Sequence, residues 1–394
     1  YWTARLAREQ PNLRDALEYS LAENTEHAVE AGLRTATALF MFWTFRGLYG
    51  EGRRWIERLL DHPAHQSVPD RVKALHAGCV LAALQGDLPA AAALAEQAHL
   101  LAEQDPSPLT QALIAYADGA VALYRGELGQ ASSYLEHAIE LFGSNRQGFL
   151  YAAALSVLGS VHALAGKTEQ AIECQQKLLS ITEACGESLF RSTALWGLGI
   201  SAWQQGERSR AIELLKKALR VNRQMRSPLV AAVSLEVLSW ILSTDGEAER
   251  AAILMGAAEE LQRSVGNPVT VFPMVDNHDE CVRTTRSSLG ARGFDLAVRK
   301  GRAMGMDEAV AFALGEQPTD TTPRTGPRVD LTMRERQVAD LVAEGLTNKQ
   351  IAAKLVISPR TAQGHVEHIL TKLGFTSRAQ IAAWIAEDAD RQTR

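Results

Sequence analysis

The sequence predicts an all-α protein in which a stack of helical hairpins is followed by a small four-helix domain. Three observations predict it. Gly86, Gly126, Gly166, Gly206 and Gly246 are spaced by forty residues without a slip. The 394-residue chain is 46% hydrophobic yet only 6% aromatic, an alanine- and leucine-rich composition that suits stacked helices. Residues 331–385 carry three capping boxes and apolar steps of three and four, the period of an amphipathic helix.

Within each forty-residue unit the small residues keep fixed places. Five positions after the glycine stand Ala91, Ala131, Ala171, Ala211 and Ala251, and seven before it Cys79, Gly119, Gly159, Gly199 and Ser239. Twelve after it stand Ala98, Ala138, Leu178, Ala218 and Ala258. Glycine makes the turn between two antiparallel helices, and small residues on each side let those helices approach closely. Residues 66–266 therefore read as five hairpins. They resemble a tetratricopeptide array with elongated helices, since the usual period is about thirty-four. Stacked hairpins of this kind form a curved superhelix with an exposed concave groove, where a small-molecule or protein effector would sit.

The flanks follow the same logic. Residues 1–65 read as a less regular first hairpin, with one helix starting at Pro11 and the next elements in ALFMFWTFRGLYGEGRRWIERLL. Residues 267–314 hold a proline-bearing break and two terminal helices, 275–290 and 294–314, the cap that a solenoid needs. Residues 315–328, GEQPTDTTPRTGPR, have three prolines and almost no apolar side chains, which is a linker composition.

Capping chemistry places the helices of residues 329–394. Thr332–Glu335, Thr347–Gln350 and Ser377–Gln380 are capping boxes, and Ser358-Pro359 pairs a hydroxyl cap with proline at the first helical position. Gly345 and Gly374 suit left-handed C-terminal caps. In the third helix Ala362, Val366, Ile369, Leu370 and Leu373 form one apolar stripe, opposite Arg360, Gln363, Gly364, Glu367, His368 and Thr371. A short helix with a polar leading face behind a tight turn is a device for reading the DNA major groove. Gln363, Gly364 and Glu367 are the candidates for base readout, because Gln pairs with adenine and Glu accepts from the cytosine amine. Lys349, Arg360, Thr361, His365 and Lys372 are the candidates for backbone phosphate, which fixes register without carrying sequence information.

These residues resemble a LuxR-type DNA-binding domain. Its pattern is matched by Leu331-Thr332, Arg334-Glu335, Gly345–Lys349, Ile351-Ala352, Ser358, Arg360-Thr361, His365-Val366, Ile369 and Lys372–Gly374. The resemblance implies a third helix docked in the major groove, dimeric binding to a two-fold site on double-stranded DNA, and pairing through the fourth helix at Ile381, Trp384 and Ile385. The family commonly has valine where this chain has Ala362 and often lysine where it has Gln363, so the recognised bases do not carry over. The whole chain also resembles the C-terminal part of large LuxR-type regulators, in which an ATP-binding domain precedes the repeats. A start at Tyr-Trp without methionine fits a piece of a longer protein. ATP would then belong to that preceding domain, and no cofactor is expected of this chain.

Charge supports a dimer. Residues 328–394 hold 10 Lys and Arg against 8 Asp and Glu, and residues 1–327 hold 31 against 38. An acidic body repels DNA, and so weakly basic a tail needs two copies to gather enough phosphate contacts. Other chemistries find little footing. Gly166-Lys167-Thr168 ends like a phosphate-binding loop, but Val161 stands where that loop needs glycine and the fragment sits in a repeat turn. His365 and His368 are one helical turn apart with no completing ligand nearby, and Asp276–Cys281 reads as an acidic helix start before it reads as a metal site. The four cysteines have no CxxC pairing and fit reduced thiols in the cytoplasm. No run approaches a membrane span. The expectation is a non-enzymatic transcriptional regulator whose repeats gate a dimeric helix-turn-helix; the alternative is a protein–protein interaction scaffold with weak, non-specific DNA binding.

Overall fold

The computed structural model describes residues 2–23, 25–144, 148–185, 189–265, 274–316, 333–344, 346–355, 358–373, and then 378, 381 and 385. The chain divides into two compact units, Tyr1–Pro318 and Thr319–Arg394. All regular structure among the described residues is helical.

The first unit opens with α1 (Trp2–Ala22), α2 (Glu26–Arg46) and α3 (Tyr49–Leu60). Helix α1 runs through Pro11 instead of starting there. Proline forfeits one backbone hydrogen bond in a helix interior, and here α1 is held from the side. Gln10 Nε2 and Arg14 Nη2 reach Glu51 Oε2 of α3 at 2.9 and 2.7 Å, and Arg58 Nη1 of α3 reaches Glu18 Oε2 at 2.9 Å.

Five hairpins follow: α4 (Val68–Leu84) with α5 (Leu88–Ala102), α6 (Pro108–Arg125) with α7 (Leu128–Ser144), α8 (Gly148–Leu164) with α9 (Thr168–Cys185), α10 (Leu189–Gln204) with α11 (Arg208–Met225), and α12 (Pro228–Thr244) with α13 (Ala248–Ser264). The glycine of every hairpin turn has φ between 70° and 82°, a left-handed conformation that a side chain would strain. The alanines five positions later are all fully buried. A Cβ on Gly119 would lie 2.8 Å from Leu135 Cγ and one on Gly199 2.9 Å from Leu215, so the missing side chain sets the helix spacing. Several first helices begin with a serine cap beside proline: Ser107 Oγ accepts from Thr110 N (3.3 Å) and Ser227 Oγ from Val230 N (3.4 Å).

The array is capped by α14 (Val275–Arg302) and α15 (Met306–Leu314). The sequence pattern treats 294–314 as one helix. In the structure the helical run ends at Arg302, and α15 restarts from Gly305, whose backbone is extended (φ −72°, ψ 163°). The break inside α14 falls at Gly290 (φ 68°, ψ 165°). Of the segment read as linker, Gly315 is the left-handed cap of α15 and Glu316 pairs with both guanidinium nitrogens of Arg223, so these two residues belong to the folded unit. Residues 317–328 of the linker and 267–273 of the proline-bearing break lie outside the described residues. The cluster at 276–281 is occupied by packing: His278 Nδ1 lies 2.8 Å from Glu236 Oε1, and Cys281 Sγ donates to Ser239 O. The buried Glu236 carboxylate also accepts from Trp240 Nε1 (2.9 Å), and its hydrogen bond to His278 holds that imidazole's pKa above the usual range.

Periodicity gives an open concave groove, and here the structure differs. Helix α2 is the first of the inner helices, packed against α1, α3 and α4, and the array winds far enough to bring it to α10 and α12 as well. Phe45 meets Phe190 of α10 edge-on at 5.7 Å, and a Cβ on Gly47 would collide with Val265 and sit 3.5 Å from Pro228. Phe40, Met41, Thr44 and Phe45 of α2 face the inner space, and burying these side chains favours the closure. The groove becomes a cavity of about 180 Å³ walled by α2, α4, α6, α8, α10 and α12.

Candidate nucleic-acid interface

The second unit contains α16 (Met333–Ala343), α17 (Asn348–Leu355) and α18 (Pro359–Leu373). Its core is small and aliphatic, built on Val338, Val342, Ile351, Ala362, Ile369 and Ile381. The middle capping box forms as its sequence dictates: Gln350 N donates to Thr347 Oγ1 (3.4 Å), and Thr347 N donates to Gln350 Oε1 (2.8 Å). Arg334 Nη2 donates to Leu355 O at 2.7 Å and so ties the start of α16 to the end of α17. Thr332, Gly345, Gly374, Ser377 and Gln380, assigned to the other caps, lie outside the described residues.

Helix α18 starts at Ser358, whose Oγ accepts from Thr361 N at 3.0 Å and lies 2.8 Å from Thr361 Oγ1. Ala362 and Ile369 are fully buried and Val366 nearly so. One turn round the helix, Arg360, Thr361, Gln363, Glu367 and His368 are exposed, while Gly364 and His365 are half-buried. The apolar stripe thus fixes which residues face outward. The helix N-terminus adds its partial positive charge to Arg360 at the leading end.

Gln363, Gly364 and Glu367 therefore share one outward face. Gln363 Nε2 donates to Glu367 Oε1 at 3.0 Å, so the two readout candidates are partners in the free protein. Among the described residues, nothing outside the helix's own neighbouring backbone lies within 4 Å of the place a Gly364 Cβ would take, so this packing does not demand glycine there. Thr361 engages Ser358 through both its amide and its hydroxyl. The side chains of Lys349 and Lys372 lie outside the described residues.

The resemblance assigns dimerisation to Ile381, Trp384 and Ile385. Ile381 is fully buried in its own domain's core, and Ile385 packs partly against the same cluster. The apolar period places Ile381 and Ile385 on the face that completes the small core. Trp384 lies outside the described residues. A residue given no role by the sequence pattern, Arg378, donates to Asn348 Oδ1 at 2.8 Å and to Leu346 O, pinning the last segment to the turn before α17. The signal was an arginine directly after a serine cap, where a solvent-facing reading is the default.

Residues 329–385 match the family described as bacterial regulatory proteins, luxR family. The tail is a LuxR-type helix-turn-helix domain. Residues 150–224, spanning α8 to α11, match the tetratricopeptide repeat. Over 100 residues the chain is 43% identical to a Mycobacterium tuberculosis protein provisionally named HTH-type transcriptional regulator Rv0890c, covering 25% of this chain and 11% of that relative. It is 35% identical over 101 residues to the DNA-binding transcriptional activator DevR/DosR of Mycobacterium tuberculosis (24% of this chain, 46% of the relative). The chain thus spans about one tenth of the length of the mycobacterial regulator and about half that of DevR/DosR. Among solved structures, a Rap protein complexed with competence and sporulation factor superposes with a TM-score of 0.48 at 10% identity, over 80% of this chain and 97% of that one. No helix among the described residues is long and apolar enough to cross a membrane.

Proposed function

We propose that this chain is the output part of a DNA-binding transcriptional regulator. Its LuxR-type domain binds a two-fold operator as a dimer, and its repeat unit gates that binding in response to an effector. The observation that carries the reading is α18 itself: a stripe of Ala362, Val366 and Ile369 is buried, and the polar leading face of Arg360, Gln363 and Glu367 is exposed to solvent. A domain built only for packing has no reason to gather a polar, solvent-exposed face at the leading turns of a helix set behind a tight turn. The similarity to DevR/DosR, a DNA-binding transcriptional activator, and to NarL, a nitrate/nitrite response regulator of Escherichia coli, supports the same reading. An ATP-binding domain preceding this chain in a longer protein is a separate proposal, tested by the residues encoded upstream of Tyr1.

The test is operator selection followed by binding across a salt series. Gln363→Ala and Glu367→Ala should each cost about 1–3 kcal/mol of discrimination at one base position. Because the two side chains hydrogen-bond to each other, the double variant should lose less than the sum of the singles. Arg360→Ala should weaken all sequences equally and reduce the salt slope by about one. Halving the operator to one half-site should abolish tight binding. Selectivity left intact in both alanine variants would refute the readout assignment. A shallow salt dependence with no preferred operator would favour the scaffold reading, which the acidic repeat unit otherwise supports.

A further inference from the structure

We infer that the cavity that α2 shares with the other inner helices is a binding site for a small, uncharged, mainly apolar molecule, which bridges the first helical hairpin to the last repeats. This deepens the effector reading above and rests on the repeat unit being the regulatory half.

The walls come from both ends of the array: Phe40, Thr44 and Phe45 of α2 face the same space as Leu229, Val230 and Val233 of α12. A molecule lodged there contacts elements far apart in sequence, so its binding favours the closed arrangement over any opened one. Occupancy would thus report on whether α2 is docked.

The chemistry of the walls selects the class of ligand. No lining residue carries a charge at neutral pH. The polar groups are the hydroxyls of Thr44, Ser156, Ser160 and Thr193 and the phenols of Tyr116 and Tyr124. Two of those hydroxyl protons are committed within their own helices, Thr44 Oγ1 to Phe40 O and Ser160 Oγ to Ser156 O, both at 2.9 Å. Burial pushes both phenol pKa values up, so the tyrosines stay neutral. A phosphate, carboxylate or sugar would surrender its hydration here and regain few partners, at roughly 2–7 kcal/mol for each unsatisfied polar group. An alcohol or a ring with a single polar atom loses little and gains the dispersion contacts of six helices.

Size narrows the class further. The cavity of about 180 Å³ slightly exceeds the roughly 150 Å³ apolar cavity known to stay dry and accept benzene. One ring or a short aliphatic chain fits. An aromatic row stands beside it: Phe190 in the wall touches Phe45 at 5.7 Å and Phe149, itself half exposed, at 5.3 Å. Trp196 is also in the wall, its Nε1 donating to Val233 O at 3.2 Å, which gives the site a built-in reporter.

The experiment uses the full chain with 1-octanol, a brominated octanol that quenches tryptophan on contact, and glucose as the polar control. Octanol should raise Tm in a saturable way, the brominated probe should quench fluorescence with the same midpoint, and glucose should do neither. The quench should vanish in Trp196→Phe. Ala153→Leu, which fills the cavity from α8, should weaken octanol binding about ten-fold or more. Should that variant lose its fold, Thr193→Leu makes the same test from α10. Absence of saturable quenching, quenching that persists in Trp196→Phe, an equal effect of glucose, or unchanged affinity in the folded filled variant would each overturn the inference. Operator affinity with and without octanol separates the two readings. Octanol that binds without changing operator affinity removes effector gating and leaves the site standing; octanol that fails to bind removes the site and leaves DNA recognition untouched.

Discussion

Gln175 on α9 is fully buried, and neither its amide nitrogen nor its amide oxygen has a hydrogen-bond partner among the described residues. The equivalent places in the neighbouring hairpins are Leu135 and Leu215, both fully buried. The glutamine reaches between α8 and α10, where a Cβ on Gly159 or on Gly197 would collide with its carboxamide. Gly159 keeps company with Gly119 and Gly199, which face those leucines, but the counterparts of Gly197 are Ala117, Val157 and Val237. The long polar side chain therefore fills the space that Gly197 leaves empty. Gln175→Leu removes a buried unsatisfied amide, worth about 1–3 kcal/mol, and leaves a void of methyl size near Gly197 that costs about 1 kcal/mol. The net expectation is a stabilisation of roughly 0–2 kcal/mol. Gly197→Ala alone should destabilise through the collision. Combined with Gln175→Leu it should add about 1 kcal/mol, because the methyl fills the void and alanine favours the helix. The assay is urea and thermal unfolding of the four proteins, with the repeat transition followed by tryptophan fluorescence and the double-mutant coupling read from it. Gln175→Leu destabilising by more than about 1 kcal/mol, or additive single effects, would refute the reasoning.

Three further predictions follow from the same structure. His76 is buried with Nδ1–H donating to Leu113 O (3.0 Å), and burial lowers its pKa to about 4. The unfolded chain binds that proton near pH 6.5, so His76 should drain up to roughly 3 kcal/mol of stability as pH falls from about 6.5 to 4. His76→Gln, which keeps a donor and does not titrate, should flatten the acid limb of a Tm-against-pH curve; an unchanged limb would count against the assignment. Gly364→Ala should stabilise the LuxR-type domain by up to about 1 kcal/mol, since nothing stands in its way. The same change should weaken operator binding, and unaltered binding would remove Gly364 from the contact surface. Arg378→Ala strips the bonds to Asn348 and Leu346. It should cost the domain about 1.5–3 kcal/mol, seen as faster amide exchange in α17 with the repeat transition unmoved.

The helices, their turns and the orientation of α18 were legible because they depend on neighbours in sequence. A glycine at a left-handed turn, a serine before proline and an apolar step of three or four act over a few residues, and they do so wherever the chain goes next. Ala362, Val366 and Ile369 are inside and Gln363 and Glu367 outside for that reason alone. The apolar pattern leaves the partner of Ile381 open, because an apolar face in a short helix looks alike whether it meets its own core or another copy; folding buries Ile381 in its own core. Arg378 carries no local signal, since its acceptors, a carbonyl and an asparagine some thirty residues earlier, come near only when the domain folds.

By itself, then, the amino-acid order determined an all-α chain of repeating hairpins ending in a helix with a polar leading face. Tertiary structure decided what the hairpins enclose. Whether the inner face stays an open groove or becomes a cavity depends on α2 meeting Phe190 and Val265, contacts between residues more than a hundred positions apart. No local period encodes such a contact, because it is fixed by the accumulated twist of five stacked hairpins and by the apolar surface that α2 must hide.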